Sequence, residues 1–213
     1  TLTVPNPNLK PERVSSYELA AERRTDSGFV RLSVFEEDIT NALLSQSAPL
    51  VTGSNTLFNF VQNVDRTQVR GVEFVVDQYD VLIPGLELMA SLTAADGRIR
   101  QDNAFAAAVG KFIPGVPKLK ANALATYRPD DKWSFTLGAR YADRSFGTLD
   151  NSDPISQTYQ GFAGYLVADV RARYRLDENW NISAGIDNLN NDKYFLFHPF
   201  PQRTFVMSVH YQQ

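Results

Sequence analysis

The 213-residue sequence contains no cysteine and only two histidines. Without cysteine, neither a disulfide nor a thiolate metal site can form. His198 lies in a segment rich in aromatics and proline, and neither histidine has the spacing to another ligand that predicts a metal site. The sequence also lacks the nucleophile elbow, the P-loop and the dinucleotide-binding glycine motif. We therefore predict no metal centre, no cofactor and no enzyme, although a Ser–His–Asp arrangement assembled only by folding remains an alternative that no pattern favours.

Long apolar runs and an excess of one charge are absent as well. Basic and acidic residues number 21 and 24, which gives a net charge of −3 and none of the basic surface that nucleic acid requires. No run of about 18 apolar residues predicts a transmembrane helix. The first residues lack a charged region followed by an apolar one, so we expect no signal peptide within this sequence.

What the sequence has instead is alternation of apolar and polar residues. Successive side chains of a β-strand leave opposite faces, so a period of two predicts a strand. Nine segments show this pattern, at about 14–23, 29–38, 58–78, 86–94, 119–127, 133–141, 166–174, 180–187 and 204–211. Many are longer than the roughly five or six residues usual in soluble sheets, and roughly nine to eleven tilted residues cross a bilayer.

The connections between these segments alternate between short and long. Short turns are predicted at 25–28, 80–85, 128–132 and 175–179, and long loops at 40–57, 96–118, 143–163 and 190–203. Residues 1–13 contain three prolines and are predicted as loop, and AFAAAVG at 104–110 as at most a helical turn. Short turns on one side and long loops on the other are typical of outer-membrane barrels, where the short turns are periplasmic. The prediction is an all-β, antiparallel transmembrane β-barrel.

The two faces of the strands differ in chemistry. One face is rich in alanine, aliphatic and aromatic residues, which suits lipid, and the other carries charges, which suits a wet lumen. The predicted lumen wall includes Arg140, Asp169, Arg171, Arg173 and Asp187. We expect Arg171 and Arg173 to pair with Asp169, Asp187 or other carboxylates on neighbouring strands.

Aromatic residues recur where strands meet the short turns. They are Tyr127, Trp133, Tyr174, Trp180 and Tyr211. We interpret them as a girdle at the membrane–water boundary. The alternative is the general preference of strands for aromatic residues.

The long loops supply the candidate ligand-binding residues, because binding groups are usually carried on loops held by a rigid scaffold. Tyr159, Phe162 and Phe197 are predicted to stack on an aromatic ligand, and Arg144 to bind an anionic one. The alternative is that these rings pack against each other. Arg203, at the base of the last loop, is predicted to pair with Asp187 or Asp192.

Nine antiparallel strands leave the first and the last running in the same direction. Closing such a sheet on itself needs a parallel seam, whereas bacterial single-chain barrels have an even number of strands. We therefore expect residues 1–213 to be one incomplete domain, the C-terminal portion of a larger outer-membrane barrel. It would begin in an external loop and end at the periplasmic rim.

Several short motifs resemble, in order and spacing, the C-terminal half of TonB-dependent outer-membrane receptors. The motifs are NPNLKPE at 6–12, SYE at 16–18, NV at 63–64, RGVE at 70–73, DNL at 187–189, KY at 193–194 and PQRT at 201–204. The resemblance implies a barrel of about 22 strands around an N-terminal plug, of which this chain supplies about nine. Members usually end in an aromatic residue, whereas this sequence ends at Gln213, two residues after Tyr211.

The resemblance also implies a function. It is energy-coupled uptake of a scarce ligand, often a ferric siderophore or a similar metal chelate, in the bacterial cell outer membrane. The implied partners are outer-membrane lipid, the ligand, and TonB through a plug region that is not in this sequence. Two alternatives stay open: a plug-free diffusion porin, and a soluble β-sheet protein that binds carbohydrate or a protein partner.

Overall fold

A computed structural model describes residues 2–48, 58–153 and 155–213. These residues form strands and one short 3-10 helix, Ala106–Ala108. The strands are β1 (Leu2–Val4), β2 (Arg13–Thr25), β3 (Gly28–Ala48), β4 (Phe58–Gln78), β5 (Leu86–Gln101), β6 (Leu119–Tyr127), β7 (Trp133–Ala142), β8 (Tyr165–Arg175), β9 (Trp180–Asp187), β10 (Phe195–Leu196), β11 (His198–Pro199) and β12 (Thr204–Tyr211).

Nine long strands form one sheet in the order β12-β9-β8-β7-β6-β5-β4-β3-β2, and each neighbouring pair is antiparallel. The nine predicted strands and their antiparallel order are therefore confirmed. The short strand β1 pairs in parallel with β4, outside this path. The strands β2 and β12 are the two ends of the order, so within the described residues the sheet is open.

Four segments predicted as loops contain strand residues. The strand β3 continues to Ala48, so 40–48 is strand rather than loop, and residues 49–57 lie outside the described part. The strand β5 continues to Gln101, past the predicted boundary near residue 95. Residues 2–4 form β1, and the last loop contains the hairpin β10–β11.

These extensions break the period that the prediction relied on. Asn41 adopts a left-handed backbone conformation (φ 54°), which asparagine tolerates, and the pairing of β4 with β5 shifts between Arg66 and Thr67. The shift in the β4–β5 pairing changes which face the following side chains of the bulged strand occupy, whereas β3 keeps its register with β4 across Asn41. The hydrogen-bonded ladder continues beyond the point where alternation stops.

Pairing in register places apolar residues in rows across the sheet. One row runs through Leu32, Phe74, Leu92, Ala121, Tyr141 and Leu166, and another through Leu88, Ala125, Leu137, Val170, Ile186 and Phe205. On central strands, Leu137 is 54% and Leu166 53% exposed. A continuous apolar face this exposed requires an apolar surrounding, which lipid supplies.

The predicted aromatic residues cluster at the short-turn edge of this face. The ring of Trp133 lies 4.6 Å from that of Tyr174 between centroids, and Trp180 lies 4.8 Å from Tyr211. The two adjacent turns share one geometry, in which the Asp130 carboxylate accepts the backbone N–H of Trp133 and the Asp177 carboxylate that of Trp180. The hydrogen bond from Trp133, followed by that from Lys132, holds the pKa of Asp130 below its usual value.

Gly71, in the RGVE motif, is required by close packing on the inner face. A Cβ at this position would lie 2.3 Å from the Phe35 ring and 2.8 Å from the Ala94 carbonyl oxygen. The ring of Phe35, on the neighbouring strand, therefore occupies the space that any larger residue at position 71 would fill.

The first prediction concerns the two faces and compares neighbouring small residues. Ala90 lies on the apolar face and Ser91 on the inner face of β5. In the full-length protein, Ala90→Arg is expected to destabilise the assembled barrel by about 2–4 kcal/mol, because it places a charge in the lipid core. Ser91→Arg is expected to have a much smaller effect. The measurement is the folded fraction in outer membranes, read from heat-modifiable electrophoretic mobility; equal tolerance would reverse the assignment of faces.

Candidate functional site

The long loops fold over the inner face of the sheet instead of standing away from it. A buried cluster joins Ala42, Val64 and Ile99 of the strands to Ala108, Ile113 and Leu149 of the loops. Gly97 leaves room for this packing, since a Cβ there would meet Ile113 at 3.3 Å and Val116 at 3.4 Å. A second cluster joins Val167 of β8 to Ala163 and Tyr194.

A cavity of about 500 Å³ lies where these loops meet. Its walls come from the extension of β3, the loop 102–118, the loop 143–163 and the last loop, and they include Leu44, Pro114, Thr148, Thr158, Phe162 and Phe197. Because four separate segments supply the wall, the cavity depends on how these four segments pack together.

Three of the predicted ligand-binding residues come together beside this cavity. The Phe197 ring centroid lies 6.1 Å from that of Tyr159 and 6.4 Å from that of Phe162. His198, which the sequence did not mark as a candidate, packs edge-on at 5.1 Å from Tyr159 and 5.0 Å from Phe197. The rings contact one another, as the alternative expected, yet Tyr159 remains 57% exposed and accessible to a ligand.

The backbone beneath these rings is strained and tightly bonded. Gln160 and Phe197 both have φ of 68°, a region that residues other than glycine rarely occupy. They meet directly: the Gln160 N–H donates to the Phe197 carbonyl oxygen at 2.6 Å, and the Phe197 N–H donates to the Gly161 carbonyl oxygen at 2.8 Å. Strain of this kind persists only where surrounding contacts fix it, and it concentrates at binding sites.

Arg144 lies in the same loop but holds the loop together. Its guanidinium donates to the Asp153 carbonyl oxygen and lies 4.8 Å from the Phe146 ring centroid. The Asp153 carboxylate accepts from the Gly147 N–H at 3.0 Å and the Thr148 hydroxyl at 2.7 Å. The predicted contact between Arg144 and an anionic ligand therefore stays a prediction, since these bonds hold Arg144 within its own loop.

Side-chain hydrogen bonds fasten the two inner loops to each other. The Asn151 side chain accepts the Phe112 N–H at 2.8 Å and donates to the Phe112 carbonyl oxygen at 3.0 Å, which imitates the pairing of a neighbouring strand. The Gly115 N–H donates to the Phe146 carbonyl oxygen at 2.9 Å. The floor of the cavity is thus built from two segments bonded to each other.

After β9, side chains of the asparagine-rich segment form hydrogen bonds with the backbone of β8, where a neighbouring strand would otherwise pair. The Asn190 carboxamide accepts the Ala168 N–H at 2.9 Å and donates to the Leu166 carbonyl oxygen at 2.6 Å, while the Asp192 carboxylate accepts the Leu166 N–H at 2.9 Å. Asn188 donates to the carbonyl oxygen of Asp192 at 2.8 Å. The segment is recognisable in the sequence by its asparagine content. An alternating pattern cannot predict that its side chains hydrogen-bond to a strand as a neighbouring strand would.

The predicted partner of Arg203 was wrong. Its guanidinium donates to the Leu189 carbonyl oxygen at 3.0 Å, and its backbone N–H donates to the Asn191 side chain at 3.0 Å. The carboxylates proposed as partners have other bonds: Asp187 pairs with Arg171, and Asp192 accepts a backbone N–H. Arg203 still fixes the base of the last loop, by bonds to backbone and amide oxygens.

Buried aromatic stacking supports the last loop from below. Tyr194, 5% exposed, stacks on Tyr165 at 4.5 Å and on Phe200 at 4.9 Å between ring centroids. Burial is the largest cause of a raised pKa at the Tyr194 hydroxyl. The loop that carries Phe197 therefore rests on a packed base.

Cross-strand hydrogen bonds connect the charged residues that were predicted to form the lumen wall. Arg171 pairs with Asp187 at 2.8 Å and Arg140 with Asp169 at 3.0 Å, which are cross-strand contacts. Arg173 differs from the prediction, because it donates to the Asn181 side-chain oxygen at 3.0 Å. Whether these residues contact a passing ligand stays a prediction.

The described residues contain neither a metal-binding group nor a membrane-spanning helix. No group of three or more His, Asp or Glu side chains there is placed to hold a metal ion. None of the helical segments in 2–48, 58–153 and 155–213 is long and apolar enough to cross a membrane.

This chain is similar to a known protein family and to several solved structures. The family described as "TonB dependent receptor-like, beta-barrel" matches residues 1–189. The probable TonB-dependent siderophore receptor PiuA of Acinetobacter baumannii is 25% identical over 140 residues, which are 62% of this chain and 18% of PiuA. Its crystal structure matches with a TM-score of 0.71 at 18% identity, over 93% of this chain and 28% of that chain.

Two further proteins are similar. The ferric citrate transporter FecA, in its unliganded form, matches with a TM-score of 0.76 at 18% identity, over 94% of this chain and 31% of that chain. The probable hemoglobin and hemoglobin-haptoglobin-binding protein 1 of Haemophilus influenzae is 26% identical over 245 aligned residues, covering 89% of this chain and 23% of the relative. The chain spans less than a third of the length of each of these proteins.

The second prediction tests the side-chain ladder. Asn190→Ala removes the acceptor of the Ala168 N–H, so hydrogen exchange at Ala168 is expected to accelerate by up to about tenfold. The Leu166 N–H, bonded to Asp192, is expected to stay protected. Asn122→Ala, which removes a strand asparagine on the inner face, is the matched control. Unchanged exchange at Ala168 would show that the Asn190 bond does not hold the loop.

Proposed function

Because the chain belongs to the TonB-dependent receptor-like β-barrel family, we propose that it forms the C-terminal part of an outer-membrane receptor barrel. The receptor takes up a scarce ligand, a ferric siderophore or a similar metal chelate, with energy supplied through TonB. The proposed location is the bacterial outer membrane, with the apolar face of the sheet against lipid. The TonB contact belongs to the rest of the protein.

The observation that carries this proposal is the aromatic-rimmed cavity between the docked loops. Phe162 and Phe197 line this cavity and Tyr159 packs against Phe197, while Gln160 and Phe197 have backbone conformations that residues other than glycine rarely adopt. Rigid aromatic rings bind large planar or apolar ligand surfaces at low entropic cost. A metal chelate with aromatic or flat organic groups fits this chemistry.

The rest of the inner wall suits passage of a polar ligand. Below the cavity, Arg140, Asp169, Arg171 and Asp187 form ion pairs that leave both partners solvated, with side chains 22–48% exposed. Exposed pairs of this kind exchange partners at little cost. A charged chelate released from the loops would therefore pass along a wall that does not retain it.

The relatives favour iron-related ligands as the class. Their names refer to a siderophore, to ferric citrate and to hemoglobin. These ligands differ in size and charge, so the proposal for this chain stops at a scarce metal chelate.

A diffusion porin is the alternative that the barrel fold permits. The docked loops disfavour it, because they fill the inner face at the long-loop end and tie themselves together by side-chain bonds. Conductance of the full-length protein in a planar bilayer separates the two: a porin gives a stable open channel, whereas a gated receptor does not.

The third prediction concerns the three aromatic rings beside the cavity. In the full-length protein, the triple substitution Tyr159→Ala, Phe162→Ala and Phe197→Ala is expected to weaken surface binding and uptake of the cognate ligand at least about tenfold, since each ring contact contributes about 0.5–1.5 kcal/mol. Binding and uptake are measured with a panel of radiolabelled ferric siderophores, ferric citrate and haem, on cells with equal membrane abundance.

The control for that experiment is Phe105→Ala. Phe105 is an exposed phenylalanine, 37% exposed, in a loop beside the cavity but outside its lining. Tyr159→Phe keeps the ring and is expected to bind nearly as the wild type does. Unchanged affinity in the triple variant would remove these rings from the binding site.

A further inference from the structure

One arginine of the predicted lumen wall has no carboxylate partner. Arg140 and Arg171 pair with aspartates across the sheet, whereas Arg173 forms no ion pair with any residue in the described part of the chain. Its guanidinium donates instead to the Asn181 side-chain oxygen at 3.0 Å. The inner-face residues around it on β7, β9 and β12 are all neutral or basic: Ser134, Thr136, Asn181, Ser183, Gly185, Val206, Ser208 and His210. This part of the wall therefore carries a positive charge that no neighbouring side chain compensates.

A cavity of about 380 Å³ lies beside this arginine. Its lining consists of Arg173, Asn181, Ile182, Ser183, Ser208 and His210. Ser183 of β9 lies directly opposite Arg173 on one side and Ser208 on the other, and Asn181 lies opposite His210 in the next row. Asn181 is the second residue of β9, which begins at a short turn. The cavity therefore lies at the short-turn end of the lumen wall.

Hydrogen bonds within this cluster occupy acceptors and leave donors. An arginine only donates, so its bond to Asn181 occupies the carboxamide oxygen and leaves the NH₂ group to donate elsewhere. The hydroxyls of Ser183 and Ser208 lie 2.7 Å apart, and because one donates to the other, one O–H remains. Arg173 keeps further N–H groups, and His210 adds a ring N–H. The cavity wall therefore presents several donors and one permanent positive charge.

Preorganisation distinguishes this cluster from a solvated arginine. The bond to Asn181 fixes the Arg173 guanidinium, and the hydroxyl pair joins β9 to β12 through side chains as well as through backbone. Donors that are already held in place lose little conformational entropy when a ligand binds. Lys120, another cation of the inner wall, lies opposite Thr93 and forms no side-chain hydrogen bond or ion pair within the described residues.

We propose that this cavity binds a carboxylate on the lumen wall, at the periplasmic end of the barrel. An ionised carboxylate only accepts hydrogen bonds, and the planar guanidinium of Arg173 matches its two oxygens in charge and shape. A neutral sugar or alcohol brings donors of its own, which find few acceptors here. The carboxylate comes either from a free organic acid or from an acidic side chain elsewhere in the receptor. The site rests on the outer-membrane barrel proposed above and is independent of which chelate is taken up.

The first arm of the test uses metal-free citrate, so that no metal chelate forms. Binding of radiolabelled citrate to the purified full-length receptor is measured by equilibrium dialysis, and uncharged trimethyl citrate is expected not to compete. Arg173→Gln is expected to weaken citrate binding about tenfold, because it removes charge-assisted hydrogen bonds. Lys120→Gln removes the same charge from the inner wall outside the cavity and is expected to leave citrate binding unchanged.

The second arm detects a carboxylate that belongs to the receptor itself. Ser208→Lys places an amine in the cavity, and a carbodiimide then joins this amine to a carboxylate in contact with it, forming an amide as the carbodiimide takes up water to become a urea. Mass spectrometry of the digested receptor identifies the acidic residue. An internal source is expected to give one cross-link to a residue outside β7–β12 and no citrate binding. Adding Arg173→Gln is expected to lower the yield of this cross-link severalfold.

Either result that depends on Arg173 supports the site, and the two arms tell a free acid from an internal side chain. If neither citrate binding nor such a cross-link is found, the proposal is wrong. It is also wrong if the observed signal is unchanged by Arg173→Gln, or if Lys120→Gln reduces it equally, since general attraction of anions to the wall would then account for it.

Failure of this site and failure of the proposed function remain distinguishable. The six residues that line this cavity are different from those that line the ligand cavity between the loops. The triple aromatic variant is therefore expected to lose chelate binding and to keep the result that depends on Arg173. A receptor that takes up its chelate normally but shows no dependence on Arg173 would overturn the carboxylate site alone.

Discussion

Hydrogen bonding of the backbone within a water-free membrane is the constraint on which this structure depends. Lipid offers no partner to an N–H or a carbonyl group, so each strand must find both neighbours within the sheet. The unbroken ladder from β2 to β12 meets this demand for every inner strand. It also fixes the register, and the register divides each strand into a lipid face and a lumen face. The apolar rows and the ion pairs of the wall follow from that division.

The same demand explains the loops. The strand β6 begins at Leu119, opposite Ala94, so the part of β5 after Ala94 has no strand partner on that side. The loop 102–118 returns to it: the Ile99 N–H donates to the Lys111 carbonyl oxygen at 2.9 Å, and the Gly110 N–H donates to the Ile99 carbonyl oxygen at 2.8 Å. Beside β8, Asn190 and Asp192 do the same with side chains. Loops that complete a ladder are fixed in position, and this makes an ordered cavity between them.

Sequence reasoning recovered what depends on periodicity. The nine strands, their order, the two faces and the aromatic edge follow from a period of two, because burial in lipid acts on each side chain in turn. It failed where backbone geometry or side-chain bonding took over, as at the register shift between Arg66 and Thr67 and in the asparagine-rich segment after β9. For Arg203 it chose a carboxylate by charge, whereas the Leu189 carbonyl oxygen was nearer. Sequence reasoning identified Tyr159, Phe162 and Phe197 from the composition of the long loops. The packing of these three rings depends on a loop conformation that no local sequence pattern predicts.

At the upper ends of β3–β5, one stretch of wall serves two environments. On its inner side, Ile99 and Val69 pack against the docked loops that shape the ligand cavity. On its outer side, Arg70 pairs with Glu36 at 3.0 Å and Arg98 with Asp96 at 2.8 Å. Both sides share the backbone hydrogen bonds of one ladder, and the loop 102–118 is bonded to that ladder at Ile99. The order of the cavity therefore depends on the strand pairing of the wall as well as on the contacts among the loops.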